Sequence, residues 1–204
     1  MGVGISVGLT IVLTLGVSVS AAQVSLKELA RRNGGRAVMM ADPSLPLTTM
    51  PELVSQSDTI VHARIVRAAS KLTPDETRVV TEYELAPLRF FRQRAPAKSR
   101  VPTGPVPLVM RLPAGRVYVD GLELAMDNSA YPEPWLREGD ECLVFLRYDS
   151  EIAEYIPYGG PFGIFRVIDG RVSPLREFVA GKRHDTEKDL GSFAAELQQL
   201  MIAK

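Results

Sequence analysis

The pattern of apolar and polar residues identifies a stretch between Gly139 and Tyr148 that organises the fold and reads G-D-E-C-L-V-F-L-R-Y. A Gly-Asp turn opens this stretch, and an unbroken apolar run follows it from Cys142 to Leu146. The run is too short for a helix of its own, and it is apolar at both odd and even positions. The pattern therefore predicts a central strand that is covered on both faces, around which the other elements pack.

Alternation of apolar and polar residues predicts further strands around this central one. One strand runs from Thr59 to Arg67, and the next runs from Arg78 to Leu85, after which Pro87 ends the regular ladder or marks an edge. The dipeptides Asp120-Gly121 and Asp169-Gly170 stand between apolar runs and are typical of hairpin turns. Short strands joined by such turns predict a mainly β fold, built as a small closed or half-closed barrel.

Helical patterns precede and follow these strands. Ser25 and Glu28 have the S-x-x-E spacing that satisfies free N–H groups at a helix start, and we expect this short helix to run to about Arg32. Near the other end, Thr186 and Asp189 suit the N-terminal cap of an amphipathic helix that packs on the barrel. The apolar residues of that helix recur at helical spacing: Leu190, Phe193, Ala194, Leu197, Leu200 and Met201.

The elements divide the chain into four segments. Residues 1–22 form a signal peptide, residues 23–50 an N-terminal helix and a linker, residues 51–178 the barrel, and residues 179–204 the C-terminal helix. The linker is expected from Ala37 to Thr49, because this stretch contains prolines and shows no clean periodicity.

The N-terminal segment predicts export. Its 22 residues carry no charged side chain and contain an apolar run typical of a secretory signal, although no Lys or Arg precedes that run. Small residues from Ser18 to Ala22 predict cleavage after Ala21 or after Ala22. The alternative is an uncleaved membrane anchor, because Val3 to Ala22 is long enough to span a bilayer. We therefore expect a periplasmic or extracellular protein, with membrane contact only through this segment if it is uncleaved.

Composition narrows the classes of function. The chain has 204 residues, of which 46% are hydrophobic and 24% charged, and this balance fits one globular domain with a core of its own. Lys+Arg and Asp+Glu both count 24, so no global field attracts nucleic acid, which is not an expected partner. Cys142 is the only cysteine, so the domain has no internal disulfide. An exported protein without disulfides favours a bacterial origin.

Several stretches carry a resemblance to a known family. The segment from Ser57 to Val66 is similar to the opening strand of netrin-like domains, the OB-type barrels shared with tissue inhibitors of metalloproteinases. Tyr83 to Leu85, together with Leu88 to Arg92, resembles their second strand, and Glu141 to Leu146 resembles a later strand. The chain is also similar to exported bacterial proteins that carry the pattern G-E-x-x-L-L-F-L. The resemblance covers about Pro51 to Val172 and implies an OB-like β-barrel.

The resemblance does not extend to the inhibitory function of that family. Metalloproteinase inhibition there depends on an N-terminal Cys that chelates the protease zinc, whereas the mature chain here would start at Ala22 or Gln23. The family's disulfide framework is missing as well, because the chain has one cysteine. We expect the fold to carry over and the inhibition not to.

Residues that could support catalysis or bind a metal are few. Cys142 lies in the apolar strand, where burial raises a thiol pKa and favours an inert packing role. His62 and His184 do not have the spacing of a zinc site, and both are expected to be solvated surface residues. Paired carboxylates support acid–base chemistry only where burial raises the pKa of one of them. The carboxylate pairs of this chain lie in turns or on an exposed strand face, which argues for solvated charges. These pairs are Glu82 with Glu84, Asp75 with Glu76, and Asp140 with Glu141. We therefore predict no catalytic residue, no metal and no cofactor.

The remaining signal is aromatic. Rings in Pro- and Gly-rich segments beside the central strand would suit a carbohydrate or an extended peptide, and the alternative is that they cap the barrel ends as core. The predicted binding residues are Tyr131, Trp135, Tyr155 and Tyr158. The sequence thus favours an exported, non-enzymatic module that binds a partner protein or an envelope polymer such as a polysaccharide. Two alternatives stay open: a hydrolytic enzyme that uses surface carboxylates, and a structural accessory domain.

Overall fold

The computed structural model describes residues 24–41, 48–94, 108–128, 136–150, 154–175, 178–179, 182–183 and 187–202. Within these residues the chain is mainly β, as predicted, with three α-helices, one of which is C-terminal. The helices are α1 (Leu26–Arg32), α2 (Met50–Gln56) and α3 (Leu190–Ile202). The strands are β1 (Arg36–Ala41), β2 (Thr59–Leu72), β3 (Val79–Gln93), β4 (Leu108–Leu112), β5 (Gly115–Val119), β6 (Leu122–Asn128), β7 (Glu141–Asp149), β8 (Glu154–Pro157), β9 (Ile164–Ile168), β10 (Arg171–Pro174), β11 (Phe178–Val179), β12 (Lys182–Arg183) and β13 (Lys188–Asp189).

The strands of the larger sheet follow the order β13-β10-β9-β7-β2-β3-β4-β8. Strand β8 also pairs with β7, so β7, β2, β3, β4 and β8 form a ring of hydrogen-bonded neighbours. Neighbours in this ring are antiparallel, except that β4 and β8 are parallel where Met110 is opposite Tyr155. Strand β7 pairs with β2 along one edge and with β8 and β9 along the other. The predicted central strand is therefore confirmed.

Both faces of β7 are covered by buried side chains. Cys142, Val144 and Leu146 belong to one hydrophobic cluster, and the intervening Leu143 and Phe145 belong to a second one. We call the first the inner cluster, because β2, β3, β4 and β7 of the ring all contribute to it. Its members are Val61, Ala63, Ile65, Tyr83, Leu85, Met110, Leu112, Ala114, Leu136, Cys142, Val144, Leu146 and Ile164. The alternation of β7 between two cores is the packing that its sequence predicts.

The outer cluster covers the opposite face of the sheet and includes residues of α2 and α3. Its members are Leu53, Val54, Ile60, Leu143, Phe145, Phe165, Val167, Val172, Phe193 and Leu197. The Phe165 ring lies 5.7 Å from that of Phe145 and 5.2 Å from that of Phe193, measured between centroids, so strand and helix meet through aromatic contacts. The predicted packing of the C-terminal helix is confirmed.

The start of α3 also agrees with one of the capping residues that the sequence predicts. The Asp189 carboxylate accepts a hydrogen bond from the backbone N–H of Ser192 at 2.8 Å, as a residue that caps a helix does. Thr186, the other expected capping residue, lies outside the described residues. None of the helices in the described part of the chain has the length and apolar character needed to cross a bilayer, and residues 1–22 are not part of it.

A three-stranded sheet, which we call the smaller sheet, has the order β1-β6-β5 and packs against α1 through buried residues that include Leu26, Ala30 and Leu124, while β11 and β12 pair separately with each other. The predicted linker is wrong for its first residues, because Arg36–Ala41 form β1 and run parallel to β6. Gly35 has a φ of +98°, which favours glycine, and its carbonyl accepts the N–H of Glu123 at 2.9 Å. This turn brings the chain from α1 back onto β6. Residues 42–47 of the expected linker lie outside the described residues.

Strands β2 and β3 are longer than the sequence predicts and pair along their whole length, with three register shifts in the pair. Pro87 lies within β3 opposite Ala63 and does not end the strand. A proline has no N–H and is tolerated on a strand edge, and among the described residues the pairing with β4 runs from Thr81 to Leu85, which lies opposite Leu108. The first outcome expected for Pro87, the end of the ladder, is therefore wrong for the pairing with β2, and the second, an edge position, stays a prediction because residues 95–107 lie outside the described residues. We call residues 86–93 of β3, beyond the pairing with β4, the β3 extension.

Candidate functional site

The aromatic residues predicted to bind a partner are divided between different parts of the chain. Tyr131 and Trp135 lie outside the described residues, so their role stays a prediction. Tyr155 packs against the inner cluster, whereas Tyr158 packs against the outer cluster. The Tyr155 ring also meets Tyr148 edge to face, with 5.3 Å between centroids. The structure therefore does not bring Tyr155 and Tyr158 together on one face.

The polar turn before β7 holds β2 in place. Glu138 accepts a hydrogen bond from the backbone N–H of Ala68 at 3.1 Å. Gly139, with a φ of +90°, donates its N–H to the Ile65 carbonyl at 2.8 Å, and the Asp140 carbonyl accepts the N–H of Ile65 at 2.9 Å. These bonds meet β2 where its pairing with β3 shifts register, between Ile65 and Arg67. The conspicuous Gly-Asp turn of the sequence is therefore structural, because it hydrogen-bonds to β2 at this register shift.

Glu141, the first residue of β7, joins two side chains of β2. One carboxylate oxygen lies 3.0 Å from His62 Nε2, and the other accepts a hydrogen bond from Arg64 Nη2 at 2.7 Å. The hydrogen bond from Arg64 is the largest cause that lowers the pKa of Glu141, and the contact with His62 lowers it further. Together they outweigh burial, so Glu141 is ionised at neutral pH. The expectation of a solvated His62 is wrong, because this side chain is buried against its carboxylate partner. His184 lies outside the described residues.

A cavity of about 290 Å³ opens beside this cluster and is lined by residues 139–141 and 166–169. The β7 residue that follows this lining is not an activated nucleophile. Cys142 follows Glu141 in β7, and burial raises the pKa of its thiol to about 12, so it keeps its proton at neutral pH. The predicted burial of this thiol is confirmed, and its inertness stays a prediction. Within the described ranges, His, Cys, Asp and Glu side chains do not gather in threes or more that could hold a metal ion.

The other paired carboxylates are also engaged. Hydrogen bonds from Thr73 and Thr77 lower the pKa of Asp75 to about 2. Burial alone would raise the pKa of Glu82, but hydrogen bonds from Lys71 and Arg111 outweigh it and lower that pKa. Lys71 Nζ and Arg111 Nη2 lie 2.5 and 2.6 Å from Glu82 Oε1. A general acid at neutral pH needs a raised pKa, and these two carboxylates have the opposite shift.

The β3 extension exposes large apolar side chains. Leu88 is 48% exposed and Phe90 is 42% exposed, although both belong to a strand that pairs with β2. Phe90 is opposite Val61, a member of the inner cluster, so it lies on the same side of the sheet as that cluster. The extension thus carries apolar surface past the end of β4 and into contact with solvent.

Arginines of the β3 extension are held in place by their neighbours. The Arg89 guanidinium lies 4.6 Å from the centroid of the Phe91 ring, and Arg92 Nη1 donates a hydrogen bond to the Val54 carbonyl in α2. Residues 86–94 read A-P-L-R-F-F-R-Q-R and contain no acidic residue. Sequence reasoning did not select this segment. The signal that could have found it is the R-F-F-R run directly after a proline, where aromatic and basic residues meet on an edge.

Comparison with known proteins gives no precedent for this arrangement. No family model, no curated protein and no solved structure matches the chain. The resemblance to netrin-like domains is neither supported nor contradicted by these comparisons, so the candidate site rests on its own residues.

Proposed function

We propose that this protein is an exported, non-enzymatic binding module with an OB-type barrel, and that the β3 extension binds a partner protein or an envelope polymer. The observation that carries the proposal is the exposure of Leu88 and Phe90 among arginines on a strand edge. Exposed apolar groups rimmed by polar residues are typical of interaction sites, and aromatic residues and arginine are enriched there.

The order of pairings supports an OB-type barrel. Such a barrel is a partly open Greek-key barrel of five strands, and the ring β7-β2-β3-β4-β8 supplies five neighbouring strands. The bent β2–β3 pair and the single parallel contact between Met110 and Tyr155 are consistent with a barrel that is closed along only part of its height. Barrels of this type bind ligands over a strand face and the adjoining loops, and the β3 extension is the end of one of the five ring strands.

The fixed positions of the two arginines favour binding. A side chain that is already ordered before a partner arrives loses less conformational entropy when the complex forms. Arg89 stacks on Phe91 and Arg92 is tied to α2, so both begin from an ordered state. Leu88 and Phe90 supply apolar area that a partner would remove from water.

The states of the carboxylates favour a non-enzymatic role over a hydrolytic one. Asp75, Glu82 and Glu141 each belong to one of the predicted pairs, and each has a lowered pKa. Ionised carboxylates that are fixed by hydrogen bonds stabilise the fold and do not deliver protons at neutral pH. Export is supported by the uncharged apolar segment of residues 1–22.

Photo-crosslinking in the cells that produce the protein tests this proposal. A p-benzoylphenylalanine at position 90 should give a discrete adduct on irradiation, because this side chain would lie against the partner. The matched control carries the same group at Tyr118, which is 71% exposed on β5 in the smaller sheet. An adduct from position 90 alone supports the proposal. The same adducts from both positions, or none from either, would argue for a structural accessory domain.

A further inference from the structure

We infer that the β3 extension takes an extended protein segment as an added β-strand, and that this segment alternates acidic with apolar side chains. The inference rests on the proposed function and specifies its partner by chemistry. It follows from the hydrogen-bonding edge, from the charge of the extension and from the way its side chains divide between the two faces.

The edge of the extension is suited to pairing. One edge of the extension is paired with β2 as far as Gln93, which lies opposite Thr59, so the backbone has strand geometry. On the outward edge, the described residues of β4 pair only as far as Leu85. A strand edge of this kind carries N–H and C=O groups that recruit another extended chain. Pro87 lacks an N–H and limits the usable edge to residues 88–93, a length of about 20 Å.

The charge of the extension selects an acidic partner. Arg89, Arg92 and Arg94 follow one another within a few residues, and residues 86–94 contain no Asp or Glu. Arginine binds carboxylates through paired, charge-assisted hydrogen bonds. A segment with several Asp or Glu residues would meet this surface favourably, and a basic segment would be repelled.

The two faces of the extension differ in chemistry. Arg89 lies opposite His62 and Arg92 opposite Ile60, and Ile60 belongs to the outer cluster. Phe90 lies opposite Val61 and therefore faces the other side. Neighbouring residues across a sheet share a face, so an added strand would place acidic side chains beside the arginines and apolar ones beside Phe90. Alternation of the two types at every second residue meets both requirements at Arg89 and Phe90. Arg92 returns to the side of Ile60 because the β2–β3 pairing shifts register there and Phe91 has no partner in β2.

Two other occupants fit this edge less well. Residues 95–107 of the same chain contain Lys98 and Arg100 and no acidic residue, and their four prolines lack the N–H that strand pairing needs. An acidic polysaccharide would satisfy the arginines but has no backbone amides for the strand edge. The alternating acidic peptide segment is the occupant that uses both the charge and the edge.

Fluorescence anisotropy with the full chain tests the inference. The probe is a labelled synthetic peptide that alternates Glu and Val, and two further probes are its Lys–Val counterpart and a Glu–Val peptide N-methylated at every second residue. We expect the Glu–Val peptide to bind and the Lys–Val peptide not to bind. N-methylation of the amides that face β3 should weaken binding about tenfold or more, because it removes edge hydrogen bonds.

Charge-reversal variants provide the matched comparison. Arg89→Glu should weaken Glu–Val binding about tenfold and create binding of the Lys–Val peptide. Arg31→Glu, which reverses an exposed charge at the end of α1, should change neither. Equal binding of polygalacturonate, or equal binding of the N-methylated peptide, would replace strand addition with simple charge attraction and overturn the inference. Binding that appears only after residues 95–107 are replaced by a Gly-Ser linker would overturn it in favour of the chain's own loop.

These outcomes are separable from the test of the proposed function. An adduct at position 90 without Glu–Val binding would leave a binding surface whose partner is not an acidic strand. Failure of both experiments would remove the binding surface itself.

Discussion

Glu141 of β7 and His62 of β2 are diagonal neighbours across the central strand pair and contact each other, with 3.0 Å between Oε2 and Nε2. His62 is only 8% exposed, so its ring depends on this partner for a polar contact. A buried polar group left without a partner costs about 1 to 3 kcal/mol. The contact therefore stabilises the join between β2 and β7.

Glu141→Gln should lower the free energy of unfolding at pH 7 by about 1 to 3 kcal/mol, because it removes the charge that pairs with Arg64 and His62. The pKa of Glu141 is lowered in the folded state, so its contribution is complete above the unfolded pKa of about 4.3 and is lost as the pH falls through the folded pKa. Urea unfolding at a series of pH values should therefore show the difference from the native protein closing under acid conditions.

The control for this change is Glu187→Gln, which breaks the surface pair with Arg171. Both partners there are more than half exposed, and such pairs contribute about 0 to 1 kcal/mol. If the two variants lost equal stability, or if the deficit of Glu141→Gln were the same at every pH, the role of the Glu141 charge would be refuted.

Cys142 should react slowly with thiol reagents until the protein unfolds. Its side chain is fully buried in the inner cluster and its pKa is about 12, so the thiolate is both rare and inaccessible. Cys142→Ala should cost about 1 to 3 kcal/mol through the lost packing of a small side chain. Labelling is followed by mass spectrometry, with Tyr118→Cys as an exposed thiol in the same chain. Equal rates at the two positions would contradict the buried central strand.

Local patterns were sufficient to predict much of the fold. The apolar run of β7 identifies a strand with two covered faces, and the Asp120-Gly121 and Asp169-Gly170 turns join the strands that the structure pairs as hairpins. The stripe of α3 predicts its packing, because helical spacing alone places these residues on one side. In each of these cases the determinants lie within a few residues of one another.

The features that the sequence did not predict depend on partners far away in the sequence. Strand β1 pairs with β6, more than 80 residues later, and nothing in the short run R-A-V-M-M-A indicates that neighbour. His62 is buried by Glu141, at a sequence separation of 79 residues. Tyr155 and Tyr158 are divided because β8 ends at Pro157, so that Tyr158 lies in the turn that follows the strand. The exposure of Leu88 and Phe90 could not be read from local alternation, because it depends on which distant strands cover β3 beyond Leu85.

Phe90 and Phe145 should respond differently to the same truncation. Phe145 is fully buried between β7 and the helices, so Phe145→Ala should lower the free energy of unfolding by about 3 to 5 kcal/mol. Phe90 is 42% exposed, and Phe90→Ala should leave the thermal midpoint nearly unchanged while it weakens partner binding. Calorimetry measures both. A large stability loss for Phe90→Ala would place this ring in the core and remove the main support for the β3 extension as a binding surface.

Gly115 marks the point where the smaller sheet crosses the β2–β3 pair. Its φ is +145°, and an added Cβ would lie 2.5 Å from Thr81 Oγ1 and 2.6 Å from Ser70 Oγ. Thr81 donates its hydroxyl proton to the Ala114 carbonyl at 2.7 Å, so in the 2.8 Å contact between the two hydroxyls Ser70 is the donor. The close approach of β5 therefore depends on both a glycine and a short chain of hydrogen bonds.

Gly115→Ala should cost about 1 to 3 kcal/mol through the clash with Ser70 and Thr81, in addition to backbone strain. Gly121→Ala is the matched control, because that glycine also has a positive φ, +76°, but an added Cβ there meets no atom within 4 Å. It should cost only the strain, about 1 to 2 kcal/mol. Ser70→Ala removes one of the two clashing hydroxyls, so the double variant Ser70→Ala/Gly115→Ala should lose less stability than the sum of the single changes. Strict additivity, measured by urea unfolding, would show that β5 is not positioned by this contact and that the two sheets are joined elsewhere.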